Sequence, residues 1–224
     1  MSAQQILSTL TAADGHQFSA YVTGPADARR SMVVVQEIFG VNAYIRSVCD
    51  SFAGRGYRVV APALFDRVVR DYQADYTAED AKRGMEIRQE MDESLALEDI
   101  KAAATLLEAT RRGIIGFCMG GTMSWYGASR TSLFGAAVSW YGTGIAANLD
   151  ANLNCPVQLH FGDSDHAIPL EDAERIRQAR PDVEVHIYQA GHGFGCTERK
   201  SYQPDAAAAA WTRTDAFFDR HLGA

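Results

Sequence analysis

Residues 113–121 read GIIGFCMGG, an apolar run followed at once by a cluster of glycines. Such a run predicts a buried strand, and the glycines predict a sharp turn from that strand into a helix. Cys118 stands at the centre of G-x-C-x-G, which has the form of the nucleophile elbow G-x-S-x-G with sulfur in place of oxygen. Side chains two positions either side of the central residue would clash in that turn, which explains Gly116 and Gly120.

The predicted turn gives Cys118 surroundings that suit a nucleophile. The N-terminus of a helix carries a partial positive charge, which favours a thiolate over a thiol. The backbone N–H of Met119 would then point to where an oxyanion forms when a thiolate attacks a carbonyl. The alternative is a buried, inert cysteine in a tight turn, since free cysteines are commonly buried.

Short β-branched runs recur along the chain, and most are apolar throughout rather than alternating. That pattern is typical of strands buried on both faces of a parallel sheet. The runs lie at 6–10, 17–22, 32–35, 57–60, 113–117, 136–141, 157–161 and 183–188, and helical patterns at 44–52, 97–107, after 119, at 170–179 and at 205–221. Their alternation predicts an α/β fold, a mostly parallel sheet of about eight strands with helices on both faces. The first two runs have no helix between them, which predicts an antiparallel pair at the sheet edge.

The chain is 224 residues long, and no internal repeat or Pro/Gly/Ser-rich linker divides it. We therefore expect a single domain over residues 1–224, long enough to bury a core without disulfides. Residues 66–91 fit no strand and are charged and partly helical. We expect them to lie over the sheet as a cap segment.

The formal net charge of −7 argues against binding to nucleic acid or to an anionic membrane, because both need a basic face. No apolar run is long enough to span a membrane, and residues 1–5 lack the basic-then-apolar layout of a signal peptide. The four cysteines, Cys49, Cys118, Cys155 and Cys196, are scattered and contain no C-x-x-C pattern. They are therefore expected to be thiols in a reducing, cytoplasmic location.

Polar residues with catalytic chemistry follow two later strands. Asp163 and Asp165 come after the run at 157–161, and His192 comes after the run at 183–188. Ligands in such sheets bind at the carboxyl ends of the strands, so these side chains are expected to meet Cys118 there. The chain order is nucleophile, acid, base, which is typical of α/β-hydrolases. Alone, His192 would more often be structural, and Asp165 would more often cap the helix that begins near residue 170.

Glu37 follows the run at 32–35, where such folds supply the second N–H donor to an oxyanion. A carboxylate near the cysteine would either hold the thiol protonated or accept its proton. The alternative is a solvated loop glutamate with no role.

The chain resembles the dienelactone hydrolase (carboxymethylenebutenolidase) family of α/β-hydrolases. The matching stretches are QEIFGVNAYIR from Gln36, GFCMGG from Gly116, GDSDHAIP from Gly162 and AGHGF from Ala190, and they span most of the chain in the right order. The resemblance implies that Cys118 is the nucleophile, His192 the base and Asp165, rather than Asp163, the acid. It further implies that Glu37 pairs with the resting cysteine and that Ile38 and Met119 donate their backbone N–H groups to the oxyanion.

One family feature is absent. The best-known members hold a substrate carboxylate with two arginines, one in the cap and one four residues past the histidine. Here Cys196 occupies the latter position, the nearest arginine is Arg199, and Arg83 and Arg88 in the cap fall out of register. A buried carboxylate without a paired charge is costly, so we expect neutral esters to be turned over at least as well as dienelactone.

The expected function is hydrolysis of small carboxylic esters or lactones through a Cys-His-Asp triad and a thioester acyl-enzyme. A broader esterase with a side activity on activated phosphotriesters is the alternative. The substrate is the only expected partner, with Arg83 and Arg199 as candidates to bind it. No cofactor, metal, nucleic acid or membrane is implied, and we expect a monomer or a weak homodimer.

Three rival functions remain. Gly142-Thr143-Gly144 follows a strand, which mimics the dinucleotide fingerprint of a nucleotide-binding oxidoreductase, but the segment after it lacks the helix that this motif requires. His160, Asp163, Asp165 and His166 are chemically suitable ligands for a metal hydrolase, although no second cluster supports them. A binding module without activity is opposed by the intact Cys118, Asp165 and His192.

Overall fold

The computed structural model describes residues 6–108 and 111–223 of the chain. It confirms the predicted fold class, because these residues form an eight-stranded, mostly parallel sheet and six α-helices. The strands are β1 (Ile6–Thr11), β2 (Gln17–Thr23), β3 (Arg30–Val35), β4 (Tyr57–Pro62), β5 (Arg111–Phe117), β6 (Ala136–Trp140), β7 (Val157–Gly162) and β8 (Glu184–Tyr188). The helices are α1 (Ala43–Gly54), α2 (Ala78–Glu90), α3 (Glu93–Leu106), α4 (Met119–Arg130), α5 (Leu170–Ala179) and α6 (Pro204–Leu222).

The described residues cluster into two compact units that divide after Gly113. The expectation of one domain over residues 1–224 stays a prediction. Residues 1–5, which lack the pattern of a signal peptide, lie outside the described residues. Within the described residues, no helix is both long and apolar enough to cross a membrane.

In the first unit the strand order is β1-β2-β4-β3. β1 and β2 are antiparallel, as their direct connection predicted, and β3 and β4 are parallel. All four residues from Met32 to Val35 are fully buried. They explain why this run is apolar throughout, since a strand covered on both faces has no solvent-facing side. Asn42 begins α1 by accepting a hydrogen bond from the Ile45 N–H, so the chain turns into a helix shortly after β3.

Residues 66–91 are partly helical, as predicted, with a 3₁₀ turn at Leu64–Arg67 and α2 at Ala78–Glu90. Thr77 and Asp80 form a reciprocal capping box that begins α2. The buried Asp66 carboxylate accepts hydrogen bonds from the N–H groups of Ser19 at 2.7 Å and Asp71 at 2.8 Å. The segment is therefore tied to the first unit by backbone contacts. Its role as a cap over the sheet stays a prediction.

In the second unit β6, β7 and β8 follow β5 in order, and the pairs β6–β7 and β7–β8 are parallel. The fully buried residues of these strands include Ile115, Val138, Leu159 and Phe161. Parallel strands end at the same edge of a sheet, so the loops after β5, β7 and β8 are brought together. Those loops carry Cys118, Asp165 and His192.

Candidate active site

Cys118 occupies the turn between β5 and α4 in a conformation that L-residues rarely adopt. Its φ is 56° and its ψ is −120°, and its N–H donates to the Trp140 carbonyl oxygen at 3.0 Å. Residue 118 also directly precedes α4, so its side chain sits at a helix N-terminus. The first N–H groups of a helix have no partner in an earlier turn, which leaves that of Met119 available to an anion. This geometry is that of a nucleophile elbow.

The glycines around the elbow are explained by close backbone packing. A Cβ atom on Gly116 would overlap the Gly120 carbonyl and lie 2.7 Å from the Ser124 hydroxyl oxygen. A Cβ atom on Gly121 would lie 2.8 Å from the Cα of Gly142. Gly142 therefore serves the approach of α4 to the loop after β6, which accounts for a glycine that resembled part of a nucleotide-binding motif.

Asp165 lies against His192, with Oδ2 2.8 Å from Nδ1 of the imidazole. Its other oxygen, Oδ1, accepts hydrogen bonds from the N–H groups of Ala167 at 2.8 Å and Ile168 at 3.2 Å. The Asp165 side chain is fully buried and only 6% of the His192 side chain is exposed. Asp165 does not cap α5, which begins after Pro169 without a side-chain cap. Three fixed contacts thus leave the carboxylate one orientation.

The surroundings of His192 favour its imidazolium form. Burial alone would lower its pKa, but hydrogen bonds to the Asp165 carboxylate and to the Cys118 sulfur, together with the charges of both groups, raise the pKa to about 10. The Cys118 sulfur and the Asp165 carboxylate therefore both interact with this imidazole. A protonated imidazole can donate a charge-assisted hydrogen bond to a sulfur atom beside it.

Asp163 has a different place. Its Oδ1 accepts from the Ala190 N–H at 3.2 Å, and its own N–H donates to the Tyr188 carbonyl oxygen at 2.8 Å. Ser164 donates to the Ala190 carbonyl oxygen through both its N–H and its hydroxyl. Asp163 and Ser164 therefore bind the loop after β7 to the loop before His192, and they fix the distance between Asp165 and His192.

Aromatic residues outside the predicted motifs pack around His192 and the residues that follow it. The Tyr141 ring lies edge-on to the imidazole at 5.2 Å between centroids, and Tyr141 is fully buried with a left-handed φ of 42°. Trp140 stacks on Phe194 at 5.5 Å, and a Cβ atom on Gly195 would lie 2.5 Å from the Trp140 ring. The residues that follow His192 therefore pack against Trp140 at the end of β6. No motif signals these aromatics, because they act by shape.

The other cysteines differ from Cys118. Cys49 and Cys196 are fully buried, and burial raises the pKa of Cys49 well above its ordinary value. Burial also raises the pKa of Cys155 to about 11. Cys118 is half-buried. In the part of the chain that the structure describes, no disulfide joins any of the four.

Glu37 and Ile38 follow β3 in the first unit and are both buried, so Glu37 is not the solvated loop residue of the alternative reading. The Tyr76 hydroxyl donates to Glu37 Oε2 at 2.9 Å. A Cβ atom on Gly84 would overlap the Ile38 carbonyl oxygen and lie 3.2 Å from the Ile38 Cβ. The segment 66–91 therefore contacts both residues directly. Tyr76 is thus a further candidate site residue, and it lies in none of the predicted motifs.

The two candidate arginines have contrasting positions. Arg83 lies on the outer face of α2, about half exposed, and pairs with Glu86 at 3.1 Å. Arg199 is half-buried, and its guanidinium packs over Gly193, where an added Cβ atom would lie 2.6 Å from Arg199 Cζ. A guanidinium thus lies beside the residue that directly follows His192, whereas Arg83 is engaged on the surface.

The features behind two rival functions have other structural uses. Only a three-residue 3₁₀ turn, Ile145–Ala147, follows Gly144, so no helix N-terminus is there to hold a pyrophosphate. The fully buried His160 is hydrogen-bonded to the Tyr188 hydroxyl at 2.8 Å and to Thr214 at 3.1 Å. Across residues 6–108 and 111–223, no three His, Cys, Asp or Glu side chains are grouped to hold a metal ion.

The sheet, and a cysteine elbow that shares its unit with an Asp-supported histidine, define an α/β-hydrolase. Residues 18–222 match the model of the dienelactone hydrolase family, and the chain belongs to that family. It is a hydrolase of ester or lactone bonds. The resemblance and the enzyme class predicted from the sequence are both confirmed.

Several known proteins are similar to the chain over nearly its full length. A Synechocystis protein named "putative carboxymethylenebutenolidase" is 33% identical, covering 92% of this chain and 93% of the relative. The carboxymethylenebutenolidase of Pseudomonas putida is 32% identical, covering 88% and 89%. A solved structure of a "putative dienelactone hydrolase" from Klebsiella pneumoniae has a TM-score of 0.84 at 29% identity, covering 98% of this chain and all of that one. A dienelactone hydrolase-like promiscuous phosphotriesterase from metagenomic libraries shares the fold, with a TM-score of 0.77 at 19% identity, covering 99% of this chain and all of that one.

Proposed function

We propose that the chain hydrolyses small carboxylic esters or lactones by covalent catalysis at Cys118, with His192 and Asp165 completing a triad. The observation that carries this proposal is the imidazole of His192, which is bonded at Nδ1 to Asp165 and paired with the Cys118 sulfur. A base that is oriented on one side and in contact with a nucleophile on the other is the recurring arrangement of acyl-transfer enzymes.

In the first half of the reaction, the Cys118 thiolate attacks the carbonyl carbon of the substrate. The carbonyl electrons move to oxygen, and the Met119 N–H at the start of α4 stabilises the resulting oxyanion. The tetrahedral intermediate collapses, the bond to the leaving oxygen breaks, and the His192 imidazolium protonates that oxygen. The products of this half are an alcohol, or the opened end of a lactone, and a thioester on Cys118.

In the second half, His192 is neutral and takes a proton from a water molecule as the water attacks the thioester. A second tetrahedral intermediate expels the Cys118 thiolate and releases the acid. The thiolate and imidazolium are then restored. Asp165 holds the imidazole in the tautomer that can accept at Nε2, and it stabilises the positive ring in both halves.

Glu37 and Ile38 are proposed to take the roles that the family resemblance implies. The Ile38 N–H is the second oxyanion donor, and the Glu37 carboxylate pairs with the resting cysteine. The burial of both residues supports this proposal, because a carboxylate is rarely buried unless it has hydrogen-bond partners or a function.

Replacement of the nucleophile tests the proposal. Cys118→Ala should abolish turnover of an aryl acetate, Cys118→Ser should retain little activity, and Cys155→Ala, a matched change at another thiol, should leave the rate unchanged. Mass spectrometry of wild type quenched during turnover should show one acyl group on Cys118. If Cys118→Ala kept more than about a tenth of the wild-type rate, a loss below about 1.4 kcal/mol, the nucleophile would be misassigned.

Arg199 is proposed as the residue that meets a negative charge on the substrate. Its place over Gly193 supports this choice, while Arg83 is engaged with Glu86. Wild type should turn over a neutral aryl acetate at least as well as cis-dienelactone, because a single half-buried cation replaces a pair. Arg199→Ala should lower kcat/KM for dienelactone by about tenfold and spare the aryl acetate, whereas Arg83→Ala should change neither. A wild-type preference for dienelactone above about a hundredfold, near 2.7 kcal/mol, would refute this.

A side activity on activated phosphotriesters is the second candidate. The fold shared with a phosphotriesterase of the dienelactone hydrolase type favours it. A thiolate beside a preorganised N–H donor can attack phosphorus as well as carbon. Release of p-nitrophenol from a diethyl aryl phosphate, lost in Cys118→Ala, would establish the activity, and its absence at high enzyme concentration would dismiss it.

A cytoplasmic location and a monomeric or weakly dimeric state remain part of the proposal. Four cysteines without a disulfide among the described residues fit a reducing compartment. Fractionation of the source cells and sedimentation of the purified protein would test these two statements.

A further inference from the structure

Tyr76 contacts a carboxylate that is completely withdrawn from water. Glu37 has no exposed surface, and the Tyr76 hydroxyl donates to its Oε2 at 2.9 Å. A buried carboxylate needs hydrogen-bond donors to remain charged, and a bond to a charged acceptor is stronger than one between neutral groups. The Tyr76 hydroxyl therefore satisfies part of the hydrogen-bonding capacity of the Glu37 carboxylate.

The Tyr76 ring is fixed in place, so its hydroxyl has a defined direction. The ring packs against Phe39 at 4.4 Å between centroids, only two residues from Glu37. Ala74, two residues before Tyr76, donates its N–H to the Phe39 carbonyl oxygen at 3.1 Å, and the Ala74 carbonyl oxygen accepts from Asn42 Nδ2 at 3.1 Å. Gln73 forms an isolated bridge with Gly40. The chain just before Tyr76 is thus bonded to the loop that carries Glu37.

We propose that Tyr76 is a positioning residue that fixes the rotamer of Glu37 through its hydroxyl, and so sets how the carboxylate acts on the resting cysteine. This inference rests on the proposed function of Glu37. It assigns to the segment 66–91 a part in the chemistry, in addition to any part in covering the site. Tyr76 itself does not touch the reacting atoms.

A double-mutant cycle tests the proposal. Tyr76→Phe removes the hydroxyl and keeps the ring on Phe39, and it should lower kcat for an aryl acetate by about tenfold with KM within twofold. In a Glu37→Gln background the same change should alter kcat less than about twofold, because the charged acceptor is already gone. The rate at which iodoacetamide alkylates Cys118 in the absence of substrate should show the same non-additive response to the two substitutions.

Tyr72→Phe is the matched control. Tyr72 lies in the same segment, and its hydroxyl donates to the Asp80 carbonyl oxygen at 3.3 Å instead of to Glu37. This variant should keep kcat within about twofold of wild type, whereas a structural role for such tyrosines would lower kcat in both variants and in both backgrounds.

The outcomes separate the two proposals. Equal losses from Tyr76→Phe with and without Glu37, no loss at all, or an equal loss from Tyr72→Phe would each overturn the positioning role. Activity that survives in Cys118→Ala would overturn the proposed function alone, because the cycle reads only the coupling between Tyr76 and Glu37.

Discussion

Replacing Asp165 by Asn should lower turnover far more than replacing Asp163 by Asn, although the carboxyls are only two positions apart. The reason lies in the contacts of Oδ1 of Asp165, which accepts from the N–H groups of Ala167 and Ile168. An asparagine must keep its carbonyl oxygen toward those donors, which places its NH₂ group against His192 Nδ1. Nδ1 must then accept, and Nε2 carries the proton.

The magnitude follows from that change of tautomer. A neutral histidine protonated at Nε2 cannot take the proton of the water that attacks the thioester, and the same exchange in another triad lowers kcat by about 10⁴. Asp165 and Cys118 together raise the pKa of His192 to about 10, which favours the imidazolium. Cys118 supplies part of that preference, so the loss from Asp165→Asn alone should fall between about 10³ and 10⁴.

Asp163→Asn should stay within about threefold of wild type. Asp163 accepts one backbone N–H, that of Ala190 at 3.2 Å, and an asparagine carbonyl can accept the same bond. Steady-state kcat/KM with an aryl acetate measures both variants, and circular dichroism with thermal unfolding verifies that both fold. A loss below tenfold in Asp165→Asn, or equal losses in the two variants, would refute the assignment of the acid.

Two further predictions concern packing and pH. Gly84→Ala should lower kcat by about tenfold, because the new methyl group displaces the Ile38 peptide, while the control Gly54→Ala, in open space within α1, should be silent. His160, whose pKa is held well below 6.5 by burial, stabilises the fold above pH 6.5, and this contribution is lost as the pH falls and the unfolded chain takes up the proton. Urea unfolding at pH 7, 6 and 5 should show wild-type stability falling more steeply than that of His160→Gln, by up to about 1.4 kcal/mol per pH unit; parallel slopes would show that His160 is protonated in the native state.

The strands were predictable because the burial of each strand is reflected in its own short stretch of sequence. Runs such as 32–35 and 157–161 are apolar at every position, and a covered parallel strand is the element that needs this pattern. All eight predicted runs coincide with strands, with ends that differ by no more than two residues. α2 was less evident, although Thr77 and Asp80 carry the spacing of a capping box that would have located its first turn.

The candidate site was predictable only in part. Cys118 and His192 stand out because each follows a strand in a short glycine-rich turn. Which of two nearby carboxyls meets the histidine depends on loop conformation, and only the family resemblance favoured Asp165. Tyr76 and Tyr141 lie in no motif. Each acts through one hydroxyl or one ring edge, and residues from many different segments of a chain can place such a group at a site.

The left-handed conformations of Cys118 and Tyr141 bear on how this enzyme could be made more heat-stable. Each non-glycine residue in such a conformation stores about 1–3 kcal/mol of strain. The Cys118 N–H is bonded to the residue just before Tyr141, so the two strained positions are neighbours across the ends of β5 and β6. A screen for thermal tolerance would select substitutions at these positions. Tyr141→Gly, for example, relieves strain but removes the ring beside His192. Stability gained there would be exchanged for activity, so engineering should begin on surfaces remote from this pair.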